Sequence, residues 1–279
     1  MPSFPVSICI LSLVQASVVA LPAAHAPAPL RRLRSGWWAL LPVGSVVGFV
    51  FGVRALGGVA DGLTYLALIA VPPLAGLALA FLMRGARPLL AAGAVPLFAL
   101  AWADRSGLAG EAAGLVLDAL SCVSLGVLLA AVTPRRLVKL AIIAMAAADA
   151  WLVISNLLAA PNNSLNAAAP VADLPQLQRV LFGSAVMGYG DLFIAGLLGA
   201  LLASQPRLQW RATLVAGTLA LLSDLLFFAV HELPATVPIA LTLIVIEGTA
   251  FRSRRRSSVG ESGRRRLSEP PETVVRDRG

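Results

Sequence analysis

The chain has 279 residues, 58% of them hydrophobic and only 13% charged, and its mean hydropathy is +0.84. Soluble globular domains carry roughly 25% charged residues, so the composition excludes one large soluble core and predicts an all-α polytopic membrane protein. The net charge of +8 does not mark a nucleic-acid partner, because the basic residues fall in short connections and one tail without an aromatic-interleaved basic face.

Nine apolar segments follow in order, at about 5–23, 37–56, 63–83, 88–103, 107–132, 137–159, 180–203, 212–230 and 233–251. Each approaches the ~20 residues a bilayer crossing needs. Eight is the alternative count, since the fourth is short and the first weak. The connections alternate in charge. Arg31, Arg32 and Arg34 follow the first segment, Arg84 and Arg87 the third, and Arg135, Arg136 and Lys139 the fifth. Arg207 and Arg211 follow the seventh and an Arg-rich tail the ninth, whereas the other connections carry Arg54 with Asp61, Asp104 with Arg105, Asp173 with Arg179, and His231 with Glu232. This pattern predicts an outside N-terminus and a cytoplasmic C-terminus.

Residues 1–136 then hold about five helices and 137–251 about four, while 252–279 form a basic tail expected to be disordered. The tail holds the last segment's end in the cytoplasm or binds anionic lipid. The first segment, with Ala24-His25-Ala26 behind it, also has the form of a cleavable signal peptide. The lack of a basic n-region favours an uncleaved helix, as do the three arginines that cleavage would leave outside. Trp37 and Trp38 read as interfacial anchors, and Cys9 and Cys122 as apolar filler rather than a disulfide or metal site. The lone lysine, Lys139, among many arginines points to a GC-rich coding genome and a bacterial cytoplasmic membrane.

Two carboxylates interrupt consecutive apolar segments: Asp149 in LAIIAMAAADAWLVISNLL and Asp191 in MGYGDLFIAGLLGALLA. A charge near the bilayer centre costs at least ~2.5–3.5 kcal/mol, so such residues are read as functional. At ~1.5 Å per residue both lie near the midplane of a ~30 Å core on antiparallel neighbours. Two carboxyls brought together share one proton. The ionised member can take a proton from a water attacking an amide carbonyl, and the protonated one can polarise that carbonyl and donate to the leaving nitrogen, without metal or cofactor.

Gly188 and Gly190 clear side chains from Asp191 and predict the close approach of another backbone, with Tyr189 closing the site or packing. Pro234 and Pro238 predict a kinked or unwound start to the last segment, an edge able to pair with an extended substrate. Asp224 is a third intramembrane acid, expected to be structural or hydrating, and Glu111 and Asp118 line a water path. Glu247 is expected to reach the interface. The stretch PNNSLNAAAPVADLPQLQ reads as a flexible external linker or a gate. His231-Glu232 makes no zinc motif, and Ser184 lacks a histidine for nucleophilic catalysis.

The span MGYGDLFIAGLLGALLA resembles the G-x-G-D span of presenilins and signal peptide peptidases, the intramembrane aspartyl proteases, in Gly188, Gly190, Asp191 and the apolar run behind them. Asp149 then matches the family's first catalytic aspartate, with Ala148 where a tyrosine is usual. The family's Pro-Ala-Leu signature falls on Pro234-Ala235-Thr236, Thr236 standing in place of leucine, with Pro238-Ile239-Ala240-Leu241 a poorer match. The resemblance implies nine spans with the aspartates on the sixth and seventh. It makes Asp149 and Asp191 the catalytic pair and gives Pro234, Ala235, Thr236 and Pro238 the positioning of substrate. The charge pattern is similar to the signal peptide peptidase branch, which implies transmembrane substrates with a cytoplasmic N-terminus, type II anchors or remnant signal peptides. An ion- or proton-coupled transporter using the same acids as a relay is the alternative from another class, although the internal repeat it calls for is not visible. A prepilin-peptidase-like aspartyl protease is the third reading.

Overall fold

The computed structural model describes residues 2–23, 28–55, 58–171, 174–228 and 234–249. The tail from 252, Ala24-His25-Ala26, Asp173 and the His231-Glu232 turn lie outside the described residues. The chain divides into two units, residues 1–243 and 244–279. The helices before and after residue 136 share the first unit; of the second only the end of one helix is described.

The described chain is mostly helical. In order come α1 (Phe4–Ala20), α2 (Leu41–Ala55), α3 (Val59–Leu77), α4 (Ala94–Ala103), α5 (Leu108–Val132) and α6 (Arg135–Ile154). They are followed by α7 (Ala159–Ala167), a two-stranded antiparallel hairpin of β1 (Val180–Phe182) and β2 (Ala185–Met187), α8 (Tyr189–Leu202) and α9 (Pro206–Asp224). The last helix is α10 (Val237–Thr249). Four helices among the described residues are long and apolar enough to cross a membrane: Gly36–Ala55, Val59–Leu82, Leu108–Val132 and Arg135–Ile154. Phe4–Ala20, Pro88–Ala103, Tyr189–Leu202 and Val237–Thr249 are apolar but shorter.

Proline sets several of the breaks. Pro134 cannot continue α5 and opens α6. Pro72 and Pro73 lie inside α3, where they withdraw two backbone donors; the helix then widens into a π turn at Ala78–Leu82, and Ser124 of α5 donates to Leu74 O at 2.6 Å.

α5 is the centre of the first unit. Its most apolar window is 72% buried, against 11% for the helix at Gly36–Ala55, which presents Phe51, Val47 and Leu41 outward as a lipid-facing helix does. α8 is held between α5 and α1 by glycines. A Cβ on Gly126 would lie 2.5 Å from the backbone carbon of Gly196, and a Cβ on Gly196 would lie 2.5 Å from Cys122 O. On α8's other side Gly199 meets Val19 O of α1. Small residues permit this backbone contact, the usual means of close helix packing in an apolar solvent. Gly196→Ala is therefore expected to cost about 1–3 kcal/mol through overpacking, read as a lower unfolding midpoint in detergent; an unchanged midpoint contradicts the close packing.

Two expectations need correction. The segment 180–203 is not one helix: residues 180–187 form the hairpin, and α8 has only 14 residues. The Gly183-Ser184 loop, with Gly183 at φ +61°, suits the two-residue turn that joins paired strands. Residues 161–167, the start of the expected external linker, are also helical, as part of α7.

Candidate active site

The hairpin delivers the chain to Gly188, which is extended (φ −67°, ψ 141°) and caps α8. Asp191 is thus the third residue of a helix, not the midpoint of a span. Its Oδ2 accepts the Gly188 N–H at 3.1 Å, so the carboxyl satisfies one of the donors that every helix start leaves open. The turn before the helix is irregular backbone in an apolar setting, tolerable where it is buried in protein or lines a wet cavity. Here protein covers its inward side, Gly183, Ala185 and Met187, while Ser184, Val186 and Gly188 stay exposed. β1 packs on α5 and β2 on α1, the turn is held by Glu111 Oε2, which accepts Gly183 N–H at 2.6 Å, and Ser7 Oγ accepts Ser184 N–H at 3.2 Å.

Asp149 projects from α6 and is close enough to Asp191 for the two carboxyls to interact electrostatically. Its Oδ2 accepts the Thr236 hydroxyl at 2.6 Å, and the Thr236 backbone N–H also donates to it. Thr236, which stands where the resembling family carries leucine, is fully buried and has its own role as a donor to the carboxyl. Thr236→Val keeps the shape and removes the hydroxyl. It is expected to lower stability by about 1–3 kcal/mol, measured as an unfolding midpoint, while Thr236→Ser stays near wild type; equal midpoints for Val and wild type would contradict the bond's importance.

Gln15 is the residue that sequence reasoning missed. It lies on α1, is 1% exposed, and donates through Nε2 to two backbone carbonyls, Asp191 O at 3.2 Å and Ala235 O at 2.9 Å. One amide therefore joins the first turn of α8 to the turn before α10. The signal for it is a lone amide in an apolar segment, which needs a partner. α1 carries a row of such contacts: Ser7 at the hairpin and Ser12, which hydrogen-bonds Asp224 of α9. Asp224 Oδ2 has no partner among the described residues.

Tyr189 points the other way, into α5. Its hydroxyl lies 2.6 Å from Ser121 Oγ, and since Ser121 donates to Asp118 O at 2.8 Å, Tyr189 donates to Ser121. Cys122 Sγ contacts Tyr189 O at 3.8 Å. Asp118 is 1% exposed and its Oδ1 lacks a partner among the described residues, so it is a buried core acid rather than a residue lining an open path.

The two glycines serve differently from expectation. A Cβ on Gly188 would approach Asp191's own Oδ2 at 3.0 Å, and one on Gly190 would meet the Met145 methyl at 3.5 Å. Neither faces another backbone; Gly188 leaves room for the carboxyl to fold back, and Gly190 lets α6 in. Pro234 and the Ala235-Thr236 turn precede α10, with Val237 N–H bonding Pro234 O at 3.2 Å. Pro238 sits in α10's first turn, its carbonyl accepting the Thr242 hydroxyl at 2.8 Å. The structure thus brings together Asp149, Asp191, Thr236 and the Ala235 carbonyl, with Gly188 and Gly190 beside them and Tyr189 turned to α5. No group of three His, Cys, Asp or Glu among the described residues is arranged to hold a metal ion. Compared with protein-family models, curated proteins and solved structures, the chain matches none.

Proposed function

We propose that this chain is a multi-pass intramembrane aspartyl endopeptidase that cuts transmembrane helices with Asp149 and Asp191. The observation that carries the reading is the convergence on one turn: Thr236 bonds Asp149 of α6, and Ala235 O shares the Gln15 amide with Asp191 O of α8. The ionised carboxyl takes a proton from water as its oxygen attacks the scissile carbonyl. The protonated partner polarises that carbonyl oxygen and then hands a proton to the departing amide nitrogen. Thr236 and Gly188 each hold one carboxyl by a donor, which fixes the pair against rotation. A helical substrate must open locally to expose its peptide bond, and the hairpin just before Asp191 offers unpaired strand edges to which an extended segment can add.

The full topology belongs to the same proposal: nine spans, N-terminus outside, C-terminus in the cytoplasm of a bacterial membrane, with type II anchors or remnant signal peptides as substrates. The test is a tagged single-span reporter in membranes, presented in both orientations. The expected result is cleavage only of the reporter whose N-terminus is cytoplasmic. Cleavage of only the reverse orientation overturns the topology. A proton-relay reading draws on the buried Asp118, whose Oδ1 has no partner among the described residues; it is favoured instead if neither reporter is cut and proteoliposomes bearing the protein carry a proton flux that Asp191→Asn removes.

A further inference from the structure

Away from the aspartates, the ends of α5 and α8 and the start of α6 enclose a cavity of about 270 Å³. The local sequence explains the space. Ala130, Ala131, Ala200 and Ala203 line it with methyl groups where larger side chains would close it. The Ser35 N–H donates to Val132 O at 2.9 Å and fixes the preceding Arg34 beside the end of α5. Arg34 lines the cavity, is exposed, and has no hydrogen-bond or ion-pair partner among the described residues. Arg135 also lines it, and its Nη2 donates to Leu201 O at 2.8 Å and Ser204 Oγ at 3.0 Å. Those bonds satisfy the carbonyl end of α8 and aim the guanidinium while leaving its other N–H groups for a further acceptor.

Two guanidiniums thus share one small cavity, and no Asp or Glu lines it. Like charges without a counter-ion raise the local potential and favour an anion between them. The planar fork of arginine matches phosphate oxygens two at a time. Apart from Ser204, the other lining residues, among them Val127 and Val138, carry aliphatic side chains. Basic pockets between helices on the cytoplasmic side are known to take lipid headgroups, and the connections at Arg34 and Arg135 belong to the positive set of the alternating loops.

We propose that Arg34 and Arg135 form a binding site for a phosphate group, borne by an anionic phospholipid or supplied as free phosphate. The site does not depend on the proteolytic reading. The full chain in nanodiscs of phosphatidylcholine doped with phosphatidylglycerol is expected to retain phosphatidylglycerol on extraction, seen by native mass spectrometry. Arg34→Gln is expected to retain about tenfold less, the value of one charge-assisted contact. A lipid source is assigned if inorganic phosphate leaves the unfolding midpoint of detergent-solubilised protein unchanged. A free-phosphate source is assigned if phosphate raises that midpoint in wild type but not in Arg34→Gln. Arg135→Gln also removes the donor at the end of α8, so Arg34→Gln, an exposed position, is the deciding variant. Equal retention by wild type and Arg34→Gln, together with no phosphate response, overturns the site.

Discussion

Asp191→Ala and Asp149→Ala are each expected to lower reporter cleavage by at least about 10²–10⁴-fold, the range in which a positioned acid or base contributes. The two do different structural damage. Asp149→Ala strands the Thr236 hydroxyl, which bonds Asp149 Oδ2 at 2.6 Å, and so loosens the turn before α10. Asp191→Ala strands the Gly188 N–H at the start of α8. Asparagine separates chemistry from packing, because its amide oxygen still accepts both donors. Asp149→Asn and Asp191→Asn should therefore keep the unfolding midpoint near wild type while cleavage is lost. The double variant should be no worse than either single one, since residues that act as a unit fail as a unit. Reporter cleavage, expression level and midpoint measured on the same membranes decide the matter. Cleavage that survives both asparagine variants removes the aspartyl mechanism, and loss of cleavage only in variants that also unfold reduces the pair to a structural one.

The parts of this arrangement that were legible in the sequence are those where a polar residue breaks an apolar run. Asp149 and Asp191 stood out because an acid in such a run needs a reason, and Pro234 because it must interrupt a helix. The hairpin at 180–187 was hidden: VLFGSAVM is a short apolar run, and periodicity cannot tell such a run from the start of a buried helix. Its only mark was Gly183-Ser184 between β-branched and aromatic neighbours. Without the hairpin the segment is one helix with Asp191 at its midpoint; with it, Asp191 stands at a helix start. The close approach of Gly126 and Gly196 was equally silent, since glycine is frequent throughout the chain and only the pairing of α5 with α8 gives these two their use. Thr236 departs from the motif the span resembles, and residue identity alone does not show that its hydroxyl bonds Asp149. Gln15 escaped because its partners are backbone carbonyls far along the chain, and backbone acceptors leave no trace in residue identity.

Gln15→Leu is the change expected to have the next largest effect, although Gln15 touches neither carboxyl. Leucine matches the volume and removes the donor, leaving Asp191 O and Ala235 O without the amide that joins them. Two buried acceptors that lose their partner cost about 1–3 kcal/mol each at most, and neighbouring helix donors recover part of that for Asp191. The functional consequence is separate from the stability loss. The amide is a direct tie between the first turn of α8 and the turn carrying Thr236, and Thr236 in turn holds Asp149; with the tie gone, the carboxyls are set apart by whatever the two turns relax to. A displacement of ~1 Å at reacting groups can cost ~10²-fold in rate, so cleavage should fall about that far with turnover reduced more than substrate binding. Gln15→Glu replaces the donor with oxygens facing two carbonyl oxygens and should be worse on both readouts. A purely structural role predicts something else: turnover per folded molecule unchanged in Gln15→Leu once the lower folded fraction is counted. That result would remove Gln15 from the site and leave α1 as packing alone, whereas a turnover defect in protein that remains folded makes the first helix a working part of the aspartate pair.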